Sequence, residues 1–189
     1  MWTQQLHDQC PPPLLRSGNL CIVPGLNAVV DSEGHEKTRL LRSLVPAQGD
    51  AAQTSPDCMW LDTRLANQDA LTPEAVWSQL MPRHPRWNHS LTSELVEALQ
   101  FTHHLGKRLD MLSTGSRRKV ALIALLSSGA TLTCLDQPYS ALDQASVQVI
   151  REFLQDMADS TTRAWVVADY EADPALPWNS VITLQKPDA

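Results

Sequence analysis

The chain has 189 residues, of which 43% are hydrophobic and 19% charged, a globular composition that excludes the disordered and low-complexity classes. Fifteen Lys+Arg against 21 Asp+Glu leave a net charge of -6, which disfavours a protein that grips nucleic acid through phosphate contacts. The longest apolar run, Val120 to Leu126, falls far short of the roughly 18–20 residues that span a bilayer, and no basic stretch precedes an apolar core at the N-terminus, so no signal peptide is expected. The four cysteines, Cys10, Cys21, Cys58 and Cys134, form no close pair and no metal-ligand spacing; they read as reduced thiols.

Residues 1–18 are polar and rich in proline and read as a lead-in or an edge segment. Two short strands follow, Leu20 to Val23 and Asn27 to Val30, on either side of a Pro24-Gly25 turn. After the polar stretch 31–37 a helix is predicted from the spacing of Leu40, Leu41 and Leu44 behind Thr38. Cys58 to Leu61 reads as a short strand. Thr72-Pro73-Glu74 opens a helix with a capping hydroxyl, a proline at the first helical position and an acid in the first turn. Pro82 to Asn88 breaks it, and a second helix is predicted over 91–104. Leu112 to Ser116 opens a third that runs to Leu126. A buried strand over 131–135 ends at Asp136. Asp143 caps a helix with Val147, Ile150, Leu154 and Met157 on one face. Ala164 to Ala168 and Val181 to Leu184 are further strands. Strands alternating with helices predict an α/β fold with a mostly parallel sheet covered on both faces.

The stretch 112–143 carries the most information. It reads Leu112-Ser113-Thr114-Gly115-Ser116-Arg117-Arg118-Lys119-Val120, then Leu132 to Leu135 followed by Asp136-Gln137-Pro138, then Ser140-Ala141-Leu142-Asp143. In order and spacing this resembles the nucleotide-binding subunits of the ATP-binding cassette family. There a Leu-Ser-Gly-Gly-Gln signature opens a helix, a strand ends in Asp-Glu-Pro, and a Ser-x-Leu-Asp loop follows. The segment from Asp31 to Thr38 resembles that family's phosphate loop, Gly-x-x-x-x-Gly-Lys-Ser/Thr, with Lys37 and Thr38 in register and Gly34 at the extra middle glycine.

The resemblance implies a RecA-like P-loop NTPase, a nucleotide-binding core over 1–57 and 116–189 with an inserted helical subdomain over 58–115 that ends in the signature. It implies ATP and Mg²⁺ as ligands, and as partners an integral membrane permease and a second ABC subunit in a dimer. It places the protein on the cytoplasmic face of a membrane, and no nucleic-acid partner is expected. Gly34, Lys37, Thr38 and Arg39 would contact ATP, and Thr38, Asp136 and Asp62 would reach the metal. Ser113, Thr114 and Gly115 would face the partner's ATP, and Asp143 would sit in the dimer loop. Trp2 and His7 are the nearest stand-ins for an adenine-stacking aromatic.

Several positions depart from the family pattern. Asp31 and Glu36 replace the two glycines of the phosphate loop, and Glu33 adds a third acid against Lys37. One like-charge contact at about 4 Å costs on the order of 1–4 kcal/mol. Glu36 either occupies phosphate space or is a solvated residue at a helix start. Gln137 stands where the family's catalytic acid activates water, and an amide accepts no proton at neutral pH. Asp169 stands where the family has a switch histidine. Two readings follow from the resemblance: an ATP-binding subunit that powers a permease, or an inactive pseudo-ATPase that lends its signature to an active partner. A DNA-repair or translation ATPase of the same superfamily would carry inserts for which 189 residues leave no room. His103-His104 should point apart as adjacent surface residues, and Cys134 reads as a buried structural thiol. The tryptophans are expected to pack rather than stack on bases, and Arg118 and Lys119 to lie on a solvated helix face.

Overall fold

Residues 25–30 and 164–169 are almost continuously apolar, the pattern of strands buried on both faces, and both form strands at the centre of a sheet. A computed structural model describes residues 2–6, 12–17, 20–31, 35–45 and 57–184. Contacts divide the chain into two compact units. One comprises Met1–Trp60, Thr131–Pro138 and Arg151–Ala189; the other comprises Leu61–Ala130 and Tyr139–Ile150, so that 116–130 falls with the helical unit.

The first unit holds a six-stranded sheet. Its strands are β1 (Trp2–Leu6), β4 (Gly25–Val30), β5 (Cys58–Trp60), β6 (Leu132–Asp136), β7 (Ala164–Asp169) and β8 (Ser180–Leu184), in the order β1-β8-β4-β7-β6-β5. All neighbours are parallel except β1, which runs antiparallel to β8. β2 (Leu15–Ser17) and β3 (Leu20–Ile22) form a separate antiparallel pair. The expected α/β fold with a mostly parallel sheet is present.

Side chains alternate across β7 with the period of a strand. Ala164, Val166 and Ala168 join Val29, Leu132, Cys134 and Ile182 in one core, closed by Leu41 and Leu44 of α1 (His35–Leu44). Trp165 is fully buried and meets Phe153 edge-on at 5.1 Å, on α5 (Gln144–Met157). Fully burying an aromatic of this size is worth roughly 3–5 kcal/mol against alanine. Burial also pushes the Cys134 thiol up, and pushes Cys58 up to about 11 with a contribution from Asp57. Cys21 and Cys134 are free thiols, and Cys10 lies outside the described residues.

The turn ahead of β4 is tightly built. Gly25 has φ +84°, and buried Asn27 spans the turn by donating to the Val23 carbonyl at 2.8 Å and accepting from the Val23 N–H at 3.1 Å. The Asn179 side chain accepts from the Leu26 N–H at 2.8 Å. The N-terminal segment supplies β1 as an edge strand, the second of the two sequence-based readings. Gln4 holds it by accepting from the Cys21 N–H at 3.1 Å and donating to Ser180 Oγ at 2.8 Å.

In the second unit, α2 (Pro73–Leu80) starts at Thr72, whose hydroxyl accepts from the Ala75 N–H. α3 (His89–Ala98) is capped by the Asn88 side chain and α4 (Thr114–Ser127) by that of Ser113. The apolar run Val120 to Leu126 is entirely buried in α4, and Trp77 Nε1 donates to the Val120 carbonyl at 3.0 Å. α5 begins within this unit and ends within the sheet unit. The expected helix over 91–104 ends instead at Ala98. Gln100 turns left-handed at φ +54°, the Gln100 N–H closes on the Glu97 carbonyl and the Phe101 N–H on that of Val96. That is a Schellman closure with glutamine in place of glycine. α1 likewise begins at His35, earlier than the leucine spacing suggests. Among the described residues no helix is long and apolar enough to cross a membrane.

Candidate functional site

The C-terminal ends of β4, β6 and β7 lie side by side, the usual place for ligand binding in an open parallel sheet. β4 leads to Asp31, and α1 then presents Lys37 and Thr38 in its first turn. Lys37 is fully buried; its Nζ donates to the Asp31 main-chain carbonyl at 2.5 Å and sits 4.1 Å from the centroid of the Tyr170 ring. Thr38 Oγ1 donates to Asp136 Oδ2 at 2.6 Å, so residues far apart in sequence meet at the end of β6. Asp31 N–H reaches the Asp169 carbonyl at 3.4 Å and Gln137 N–H the Ala168 carbonyl at 2.8 Å, which ties both neighbouring strand ends to β7. Gln137 adopts φ +47°, a left-handed conformation that costs of order 1 kcal/mol for a residue with a Cβ.

The Glu36 side chain is 64% exposed and lies 3.8 Å from Arg39, itself 81% exposed, so both charges face water. Arg39 is therefore a solvent-facing residue of α1. Gly34, Glu33 and His7, together with the side chain of Trp2, lie outside the described residues. Asp62 accepts from Arg64 on both carboxylate oxygens, at 3.0 and 2.8 Å.

The signature-like turn belongs to the second unit. Ser113 Oγ accepts from the Ser116 N–H at 3.1 Å, and Ser113 and Thr114 are exposed. A Cβ on Gly115 would collide with the Ala141 carbonyl, and Ala141 itself is left-handed at φ +61°. The turn at 113–115 and the loop at 140–143 are thus fitted to each other through main-chain atoms. Lys119 reinforces the fit: it donates to the Leu99 carbonyl at 3.0 Å and to Asp143 Oδ2 at 3.0 Å. With 14% of its side chain exposed, Lys119 is a bridge and not the solvated residue that the basic run suggests. Asp143 caps α5 as expected, accepting from the Ser146 N–H at 2.8 Å.

His103 and His104 do not point apart. They sit in a tight 3-10 turn with ring centroids 4.0 Å apart. Burial, followed by the charges of His103, Lys107 and Lys119, holds His104 below its ordinary value of 6.5. Among the described residues no group of three or more His, Cys, Asp or Glu is placed to hold a metal. The oxygens of Thr38 and Asp136 are the donor set that fits a hard cation sharing its shell with phosphate and water. Trp77 and Trp165 pack in the interior as expected.

No protein-family profile matches the chain. A cytochrome c biogenesis ATP-binding export protein CcmA from Gluconobacter oxydans is 31% identical over 138 residues, which is 71% of this chain and 60% of that protein. A CcmA of the same description from Pseudomonas syringae pv. tomato is 30% identical over 156 residues, covering 75% of this chain and 71% of that protein. The chain belongs to the ATP-binding subunits of ABC transporters. Phosphonates import ATP-binding protein PhnC 1 from Ruegeria sp. is 30% identical over 84 residues, and this chain spans only 33% of it. The match thus spans less than two thirds of the length of some of these relatives, the Gluconobacter protein among them. The fold is shared with solved ABC subunits. An ABC transporter ATP-binding protein from Pyrococcus furiosus superposes with TM-score 0.66 over 94% of this chain and 96% of that one, at 17% identity.

In this ABC subunit Asp143 provides a direct check on how the loop is held. The Ser146 N–H, followed by Lys119, holds its carboxyl well below the ordinary 3.8. Its folded value is depressed, so its stabilisation is complete at neutral pH and is lost as pH falls below 3.8. The side chain is 59% exposed, and solvent screening keeps the contribution small. Asp143→Asn is expected to destabilise in urea unfolding at pH 7 by roughly 0.5–1 kcal/mol, with the difference shrinking toward pH 3.

Proposed function

We propose that this chain is the ATP-binding subunit of a membrane transporter, that it binds Mg²⁺-ATP through Lys37, Thr38 and Asp136, and that it leaves hydrolysis to a partner subunit. The observation that carries this reading is the Thr38–Asp136 pair at 2.6 Å beside Lys37, a retained cation and oxygen set at the strand ends. Thr38 and Asp136 would hold the metal, which when bound would offset phosphate charge. Gln137 follows directly, and its amide cannot serve as a general base, although it can still orient water. Arg39, 3.8 Å from Glu36, offsets part of the acid charge at the start of α1, which supports phosphate binding there.

The intact block of Ser113, Gly115, Ala141, Asp143 and Lys119 supports the part played toward a second ABC subunit, whose ATP the signature would complete. The helical unit, Leu61–Ala130 with Tyr139–Ile150, would dock the permease at the cytoplasmic face of the membrane. The two CcmA relatives align over 71% and 75% of this chain, and their names favour an export role in cytochrome c biogenesis.

Calorimetry of the full chain with Mg²⁺ and ATP at low salt tests the central claim. Micromolar binding, lost in Lys37→Ala and without phosphate release, is the expected result. Absence of binding up to millimolar ATP would overturn it and leave the partner-serving pseudo-ATPase. Phosphate release by the chain alone, abolished in Asp136→Ala, would overturn the assignment of hydrolysis to the partner.

A further inference from the structure

Tyr170 is 59% exposed, one of the few large apolar side chains that face water, yet its ring lies against the fully buried ammonium of Lys37. A buried ammonium must be partnered, and among the described residues Lys37 Nζ meets the Asp31 carbonyl on one side and a π face on another. The ring is set in place by the main chain. Tyr170 N–H donates to Asp169 Oδ1 at 2.8 Å, Asp169 is in register with Val30, and Asp31 N–H reaches back to the Asp169 carbonyl. Asp31, Lys37, Tyr170 and Asp169 thus close a ring of contacts at the ends of β4 and β7. Tyr170 is not among the buried core residues and more than half of it faces water, while the strand ends are held by main-chain hydrogen bonds that do not use its side chain.

We propose that Tyr170 is a gate on Lys37: its ring holds the ammonium inward, and a phosphate must displace the ring to gain the charge. The role of phosphate rests on the nucleotide reading above; the shielding of the amine does not.

Acetylation of the full chain with an N-hydroxysuccinimide ester, read by peptide mass spectrometry, tests the shielding without nucleotide. Lys37 in Tyr170→Ala is expected to label about tenfold faster than in the unaltered chain, from the loss of a desolvated cation–π contact. Tyr170→Phe, which keeps the ring, is expected to label like the unaltered chain, and Lys107 and Lys119 are expected not to change. An unchanged Lys37 rate in Tyr170→Ala would overturn the proposal, as would an equal rise at all three lysines. In calorimetry Tyr170→Ala is expected to bind Mg²⁺-ATP about tenfold more tightly. Faster Lys37 labelling with no ATP binding by either protein would uphold the gate and sink the nucleotide reading. ATP binding with unchanged labelling would do the reverse.

Discussion

Replacing Gly25 by alanine is expected to remove about 3–5 kcal/mol of folding free energy, a large part of the roughly 5–15 kcal/mol that holds a domain together. Three costs coincide there. The backbone at φ +84° is left-handed, which a Cβ resists. The added methyl would collide with the Ala158 carbonyl, which cannot yield as a side-chain tip can, and with the Asn179 carboxamide. Pushing Asn179 aside would also strip the Leu26 N–H of its acceptor at the start of β4. β4 then delivers Asp31 and the loop that ends at Lys37, so nucleotide binding should fall along with stability. Urea unfolding of the full chain checks the first effect, with the midpoint falling and the slope unchanged. A cost below about 1 kcal/mol would mean that the turn relaxes without disturbing the strand.

Gly115→Ala is the second large effect, and it separates a packing role from a merely flexible one. The methyl would meet the Ala141 carbonyl, part of a loop already held left-handed at φ +61° and pinned at Asp143 by Lys119. Overpacking of this kind costs about 1–3 kcal/mol. Gly106→Ala supplies the comparison, because a Cβ there meets nothing within 4 Å. It should stay within about 0.5 kcal/mol of the unaltered chain. Equal stability of the two variants in urea would show that the 113–115 turn and the 140–143 loop are not fitted to each other. If the fit is real, Gly115→Ala should also weaken any association with a second ABC subunit by more than its stability loss explains.

The central strands and the motif order of 112–143 were legible because both are local. The apolar run at 164–168 and the mostly apolar stretch at 132–135 mark buried strands, and Ser113, Asp136 and Asp143 stand at element boundaries where their polar groups have obvious work. What pairs distant parts of the chain was not legible. An edge segment is one of the two readings of residues 1–18, but β1 is polar through Thr3, Gln4 and Gln5, and its partner β8 could not be read from it. The end of α3 was hidden because Leu95, Leu99 and Phe101 continue an apolar spacing past the point where Gln100 turns the chain. Tyr170 carried no pattern of its own: an aromatic after a strand is unremarked until Lys37 is seen beneath it. Lys119 was misread for the same reason, since a basic run on a helix says nothing about which member meets a carbonyl and a carboxylate.

The strand β7 has a consequence for how such a site can change over time. The positions of Asp31 and Gln137 are fixed through main-chain hydrogen bonds to Asp169 and Ala168, and Asp136 stands in register with Ala168. None of these ties involves a side chain, so an exchange at 137 or 169 alters the chemistry on offer while leaving the strand ends in place, although one at 169 also removes the carboxylate that accepts from the Tyr170 N–H. The scaffold behaves like a socket whose pins are independent of what is plugged in. Under the proposed reading, Gln137→Glu and Asp169→His would each place a new side chain on strand ends that the main chain already holds, so the chemistry there could be changed one residue at a time without rebuilding the fold.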